Sequence, residues 1–343
     1  MQLDVDILEL HTRHAFNIAR EKAPPAWRTV RVRVRDGEGR EGWGEAAASA
    51  YYGETAETVT AALDRYRAVI EEAEADDAFR LHAMEERLES RLHRNASARS
   101  ALSAALHDLA GKRLGVPVWR MWGLDPVAPP SSFTIGIDEI GAMREKVQEA
   151  RGYPILKLKV GTERDGEILA MIRKEHPDAV IRVDANTAWT VKEALAAIPM
   201  LADHGVEFVE QPLAPDDLDG LAELTARSPL PIVADESCET LSDVAKLVGR
   251  VDGINIKLAK CGSLREALRM VACARAHGMS VMLGCMIEST LGIAAAIQLS
   301  PLIDYLDLDG AALLANDPFS GPGIGPDGAI RFNEAPGLGV EDG

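Results

Sequence analysis

The sequence predicts an α/β protein: a parallel (β/α) barrel preceded by a smaller α+β unit. Three observations carry this. From residue 133 onward, eight short apolar runs recur about every 25 residues, with amphipathic stretches between them. Ahead of them, alternating strand-like segments give way to helical patterns, the order of an α+β unit. No glycine-rich phosphate fingerprint follows the first run, which counts against a doubly wound open sheet, the alternative architecture. A chain of 343 residues is long enough for both units, with an ample core.

The opening "MQLDVDILEL" alternates apolar and charged residues as a half-buried strand does, and it lacks the basic-then-apolar layout of a signal peptide. "RTVRVRVRDGEGREGWGEA" reads as a strand, a "DGEG" turn and a return strand. From residue 56 to about 115, "TAETVTAALDRYRAVIEEAEA" and "ASARSALSAALHDLAGKRLG" carry apolar residues at helical spacing, with Gly111 or Gly115 as the stop. The turn-rich "GLDPVAPPSS" then separates the units. The first unit is expected at residues 1–122 and the barrel at 131–317. The barrel runs are "FTIGI", "ILKLKV", "VIRVDA", "EFVEQP", "PIVADE", "GINIKLA", "SVMLGC" and "IDYLDLDG". Helical stretches such as "KEALAAIPMLADHG" and "SLREALRMVACARAHG" join them. The loop-rich tail, 318–343, is expected to return and brace the first unit.

Composition narrows the function classes. A formal net charge of −17 argues against nucleic acid or an anionic membrane as partner, because phosphates are repelled. "AAIQLSPLIDYL" is too short and too punctuated to span a bilayer. Cys238, Cys261, Cys273 and Cys285 show neither paired short spacings nor accompanying histidines. They read as free thiols in a reducing cytoplasm. A homo-oligomer is compatible with the sequence, which does not specify one.

The chemistry sits at the C-terminal ends of the runs, where such barrels build their sites. The second run carries Lys157 and Lys159, both on one face of the strand by alternation. Buried ammonium groups without partners are costly, so something negative belongs opposite them. The third run ends at Asp184, the fourth at Glu210, the fifth at Asp235 and Glu236. Lys257 lies in the sixth, Glu288 follows the seventh, and Asp307 and Asp309 close the eighth. Singly, an acid after a strand is more often a helix cap than a ligand. Together, Asp184, Glu210 and Asp235 stand 26 and 25 residues apart (184 to 210, 210 to 235) on consecutive strands. Neighbouring strands lie about 4.8 Å apart, so the three carboxylates converge on one hard cation. Oxygen-only ligands favour magnesium, with manganese as a substitute, over zinc. Strands two and six of an eight-stranded ring are opposed, so Lys159 and Lys257 face each other across the mouth. A metal-bound substrate between them could lose a proton to one lysine and regain one from the other on the opposite face. That is two-base racemisation or epimerisation through an enediolate. The cation and Lys157 are expected to depress the lysine pKa values toward neutrality.

These residues resemble the muconate-lactonizing subgroup of the enolase superfamily over nearly the whole chain. The resemblance implies a (β/α)7β TIM-like barrel under an N-terminal α+β capping domain, the tail completing the cap. It implies Lys159 and Lys257 as bases, Lys157 as a helper at the enolate, and Asp184, Glu210 and Asp235 as magnesium ligands. Asn186 and Glu236 fit hydrogen-bonding roles behind the ligands or the opposing lysine. "DLDG" looks like the paired aspartates with which dipeptide epimerases hold the substrate ammonium, here Asp307 and Asp309. "FNIAR", ending in Arg20, and "CMIES", containing Glu288, resemble stretches of the same enzymes. The expectation is therefore a magnesium-dependent dipeptide epimerase acting on the C-terminal residue of an L-Ala-L-Xaa type dipeptide. Alternatives on this scaffold are an o-succinylbenzoate synthase, an N-acylamino acid racemase or a muconate-type cycloisomerase. A barrel that binds a metal or small acid without turnover is the non-enzymatic alternative. Cap loops would choose the side chain. Arg20 is a candidate cation for an acidic substrate; Tyr51, Tyr52 and Glu54 come from the second loop. Glu21 stands where many relatives have glycine, and leaves acidic, cationic and hydrophobic side chains all open.

Overall fold

Alternation in the opening segments sorts their side chains onto two faces of an antiparallel sheet. A computed structural model describes residues 1–20, 22–74 and 78–343. It places β1 (Gln2–Leu10), β2 (Trp27–Arg35) and β3 (Glu41–Ala46) side by side in that order. On β2, Val30, Val32 and Val34 are buried, while Arg31 and Arg33 on the other face both reach Asp6 Oδ2 of β1, at 3.0 and 3.1 Å. The "DGEG" turn is tied by Asp36 Oδ1, which accepts the N–H groups of Glu38 and Arg40. Gly39 sits there at φ +85°.

Three helices come next: Ala56–Glu71, opened by a capping box between Thr55 and Thr58, then Leu81–Arg91 and Ala96–Leu114. The last is rich in alanine and serine and is buried from Ser97 to Gly111 except at Arg99. Small residues are what its position demands. A Cβ at Gly44 would lie 2.0 Å from the Ala101 carbonyl oxygen, and one at Gly42 would lie 2.0 Å from that of Ala105. Gly44→Ala should therefore destabilise the fold by about 1–3 kcal/mol through overpacking, read as a lower denaturation midpoint at unchanged m-value.

The barrel strands are β4 (Phe133–Ile135), β5 (Ile155–Lys159), β6 (Val180–Asp184), β7 (Val206–Glu210), β8 (Ile232–Ala234), β9 (Gly253–Ile256), β10 (Ser280–Gly284) and β11 (Tyr305–Asp307). Each pairs in parallel with the next. A parallel bridge between Ser131 and Leu306 brings the first strand's approach against the last, closing the ring. A helix follows each of the first seven strands, giving the (β/α)7β order. Leu156, Leu158 and Val160 pack outward into the helix layer. Inside, Arg182 lies between the rings of Phe208 and Tyr305, at 5.3 and 4.8 Å, and donates to Glu207. Those groups, with Val233 and Met282, fill the barrel on the N-terminal side of the lysine and carboxylate layer. The mouth of the barrel therefore has a packed floor.

The segment Phe16–Arg20 crosses the mouth. Asn17 holds it there, accepting from Ile137 N–H and donating to the Ile137 carbonyl at 2.9 and 3.1 Å. The tail packs on the first unit: Leu338 N–H donates to Asp108 at 2.7 Å, and Phe319 lies against Trp43. Among the described residues no helix is long and apolar enough to cross a membrane.

Candidate active site

Strand alternation and one tight turn per strand end build the site. Asp184 and Glu210 are the last residues of β6 and β7, and Asp235 stands one residue past β8. After Asp184 the chain turns through left-handed backbone at Asn186 (φ +45°) and Thr187 (φ +69°), which lets Asn186 N–H donate to Asp184 Oδ1 at 2.9 Å. After Glu210, Gln211 (φ +35°) turns so that its Oε1 accepts the N–H groups of Asp235 and Ser237. Such backbone persists only where its surroundings hold it, and here it aims the acids inward.

The three carboxylates are completely buried, and one oxygen of each lies within 4.8 Å of the others. Their neighbours are the lysines. Lys159 Nζ is 2.6 Å from Asp184 Oδ2, and Lys257 Nζ is 2.7 Å from Asp235 Oδ2. Lys157 reaches three acids: Glu210 at 2.6 Å, Asp307 at 2.8 Å and Asp184 at 3.2 Å. The charges the strand pattern posed as a problem are thus paired, with Lys157 only 1% exposed. Lys257 sits just past β9, with extended backbone that continues the inward alternation. A Cβ at Gly284, on neighbouring β10, would lie 3.0 Å from Lys257 Cε, so glycine there makes room for the lysine.

Burial and like charge push the Glu210 carboxyl up to about 8, Asp184 being the nearest cause after desolvation. Burial acts the same way on Asp184 and Asp235, but the adjacent ammonium groups outweigh it and hold both below the usual range. Glu210 Oε2 accepts no hydrogen bond and has only the ion pair with Lys157. Three buried carboxylates with converging oxygens, Glu210 among them keeping one oxygen free of hydrogen bonds, form a donor set that fits a hard divalent cation. Burial pulls Lys157 and Lys257 down, yet the carboxylates around them raise both above their ordinary value.

β5 and β9 are separated by three strands either way round the closed ring, so Lys159 and Lys257 stand on opposite walls. Both line one cavity of about 370 Å³ beneath the cap. Lys157, Asn186, Asp307 and Asp309 line it too, as do Phe16, Ile18 and Arg20 from the cap. On the β11 wall, Ser132 Oγ donates to Asp307 at 2.6 Å and Thr134 N–H donates to Asp309 at 2.6 Å. Burial, then the charge of Asp307, pushes Asp309 up to about 7.

Other expected residues are placed differently. Arg20 lines the cavity, but its guanidinium is engaged. It pairs with Glu236, donates to the Asn186 carbonyl, and lies 4.0 Å over the Tyr51 ring. Asn186 Nδ2 also donates to Glu236, at 3.3 Å. Tyr52 packs edge-on against Tyr51 and does not line the cavity. Neither does Glu288, whose carboxylate folds back to accept Met286 N–H at 2.9 Å. Glu54 lines the cavity with its carboxylate on Ser97. Glu21 lies outside the described residues. Sequence reasoning missed Lys260, which donates to Asp235 and to the Asn255 carbonyl, and Asn255, which donates to Glu210 at 2.7 Å. Their signal was present in "NIKLAK": Asn255 and Lys257 alternate inward, and Lys260 comes one helical turn on.

Comparison with known proteins agrees with this geometry. Residues 4–123 match the family described as "Mandelate racemase / muconate lactonizing enzyme, N-terminal domain", and residues 142–341 match "Enolase C-terminal domain-like". The chain is 40% identical to the L-Ala-D/L-amino acid epimerase of Maribacter sp. over 341 residues, 99% of each chain. It is 42% identical to the L-Ala-D/L-Glu epimerase of Bacteroides thetaiotaomicron over 338 residues, 97% of this chain and 85% of that protein. Its fold superposes on the crystal structure of the dipeptide epimerase from Enterococcus faecalis complexed with magnesium and L-Leu-L-Tyr. There the TM-score is 0.91 at 33% identity, covering 99% of this chain and 98% of that one. The chain belongs to the mandelate racemase / muconate lactonizing enzyme family of the enolase superfamily.

Proposed function

We infer that this protein is a magnesium-dependent dipeptide epimerase that inverts the α-carbon of the C-terminal residue of an L-Ala-L-Xaa type dipeptide. The observation that carries the reading is a pair of lysines on opposite walls of one buried cavity, between a carboxylate triad and two aspartates. The names of the relatives support the substrate class. The magnesium complex of the similar structure supports the cofactor.

In this reading Asp184, Glu210 and Asp235 hold the ion. When bound, it offsets the negative charge that builds on the substrate carboxylate as the α-proton leaves. Asp307 and Asp309 take the substrate ammonium, an anionic pair suited to a cation. The α-carbon then rests between the β5 and β9 walls. Whichever of Lys159 and Lys257 is neutral removes the α-proton, and the other, as an ammonium, returns a proton to the opposite face. Lys157, on the floor beside Glu210, adds positive charge near the enolate oxygens. Arg20, held by Glu236 and Asn186, ties the cap loop over the mouth. Residues 1–122 with the tail 318–343 serve as the cap, and 131–317 as the catalytic barrel. Four cysteines without a disulfide support a reducing, cytoplasmic setting.

The competing cycloisomerase and o-succinylbenzoate synthase readings involve substrates without an amino group. Asp309→Ala separates them. Losing one partner of a buried charged contact costs about 3 kcal/mol, so kcat/KM on dipeptides should fall about a hundredfold. Steady-state assays on dipeptides and on amino-free acids check this. An unchanged dipeptide rate would remove the ammonium role from this wall.

A further inference from the structure

The three carboxylates of the triad are held alike. One oxygen of each is taken by a fixed donor: Asp184 Oδ1 by the Asn186 N–H at 2.9 Å, Glu210 Oε1 by Asn255 Nδ2 at 2.7 Å, and Asp235 Oδ1 by Lys260 Nζ at 2.5 Å. The other oxygen of each meets the lysines that line the cavity. Lys159 and Lys157 sit on Asp184 Oδ2, Lys157 on Glu210 Oε2, and Lys257 on Asp235 Oδ2. Each carboxylate therefore offers the site one oxygen and keeps its second one occupied.

Two of the holding groups are side chains that the mechanism does not use. Asn255 is completely buried; its Nδ2 serves Glu210 while its Oδ1 has no hydrogen bond, a polar atom kept in the interior at a cost. A Cβ at Gly284 would lie 2.8 Å from both amide atoms, so that glycine makes room for Asn255 as well as for Lys257. Lys260, also buried, spends its three protons on Asp235 Oδ1, the Asp235 carbonyl and the Asn255 carbonyl, at 2.5, 2.5 and 3.0 Å. Divalent cations differ in what they ask of such a set. Calcium takes about six to eight oxygens in loose geometry and often uses both oxygens of a carboxylate. Magnesium is smaller, keeps octahedral geometry and retains several waters. Carboxylates restricted to one oxygen apiece suit the smaller ion and leave the larger one short of ligands.

We propose that Asn255 and Lys260 are positioning residues that make the triad selective for magnesium over calcium, by withholding the second oxygen of Glu210 and of Asp235. This rests on the magnesium reading above. Isothermal titration calorimetry of the native protein, Asn255→Leu and Lys260→Met, with magnesium chloride and separately with calcium chloride, gives the ratio of the two Kd values. The native protein should bind magnesium more tightly than calcium. Each variant frees one oxygen and should move the ratio toward calcium by about tenfold, the lower end of what losing one such partner does to metal affinity. Lys260→Met also removes a positive charge. That strengthens the attraction for two ions of equal charge alike, so the ratio, not either constant, is the readout. Asn255→Leu keeps the charge of the site and nearly its volume. A residue that merely supports the fold would lower the melting temperature when replaced and leave the ratio where it was. Native protein that binds calcium at least as tightly as magnesium overturns the selectivity, while the metal site stands. A folded variant that leaves the ratio unmoved overturns the role of its residue. If one variant does not fold, the native ratio and the other variant decide. If neither ion binds the native protein, the triad is not a metal site and the proposal falls with that reading.

Discussion

Lys257→Ala is expected to abolish epimerisation, lowering kcat/KM by about a thousandfold, the scale of a positioned acid–base group. It should leave a one-sided exchange reaction behind. With the lysines on opposite walls, the epimer whose α-hydrogen faces Lys159 still exchanges it for solvent deuterium in this variant, and the other epimer does not. Lys159→Ala should give the mirror result. The fold tolerates both changes, because neither leaves a buried carboxylate alone. Asp235 keeps Lys260 at 2.5 Å, and Asp184 keeps Lys157 at 3.2 Å. Proton NMR of each epimer in deuterated water checks the pattern. Equal exchange of both epimers in a single-lysine variant would show that the two side chains do not serve separate faces.

The second large effect concerns the triad. Treatment with a chelator should reduce activity by about three powers of ten, since a divalent cation contributes several kcal/mol to the developing charge. Added magnesium should restore it. Glu210→Gln should lower activity on the same scale and weaken magnesium binding by calorimetry. It is the cleanest triad substitution, because Lys157 retains Asp307 and Asp184 as partners. Full activity in the chelated protein would remove the metal from the reaction.

Much of this site was legible in the chain because it lies on strand alternation. "ILKLKV" announces two lysines on one face, and the acids stand at equivalent ends of the next three strands, so period and topology alone bring them together. What alternation cannot show is who meets whom across closure of the ring. Ser132 and Thr134 hold aspartates more than 170 residues away because the chain before β4 bridges to β11. Cap residues were the hardest. Arg20 reads as a free cation until Glu236, far along the chain, is seen to take it. Tyr52 and Glu288 were expected at the substrate. The short turn Ala50–Tyr52 presents Tyr51 to Arg20 instead, and the Glu288 carboxylate satisfies its own backbone at Met286.

Epimerisation by two opposed lysines comes down to proton exchange at a single carbon, and that can be measured directly. The native protein, magnesium and a panel of L-Ala-L-Xaa dipeptides are incubated in deuterated water and followed by mass spectrometry and NMR. The expected result is a gain of one deuterium, at the α-carbon of the second residue, together with appearance of the L,D epimer. No exchange with any dipeptide, or exchange confined to the first residue, would contradict it.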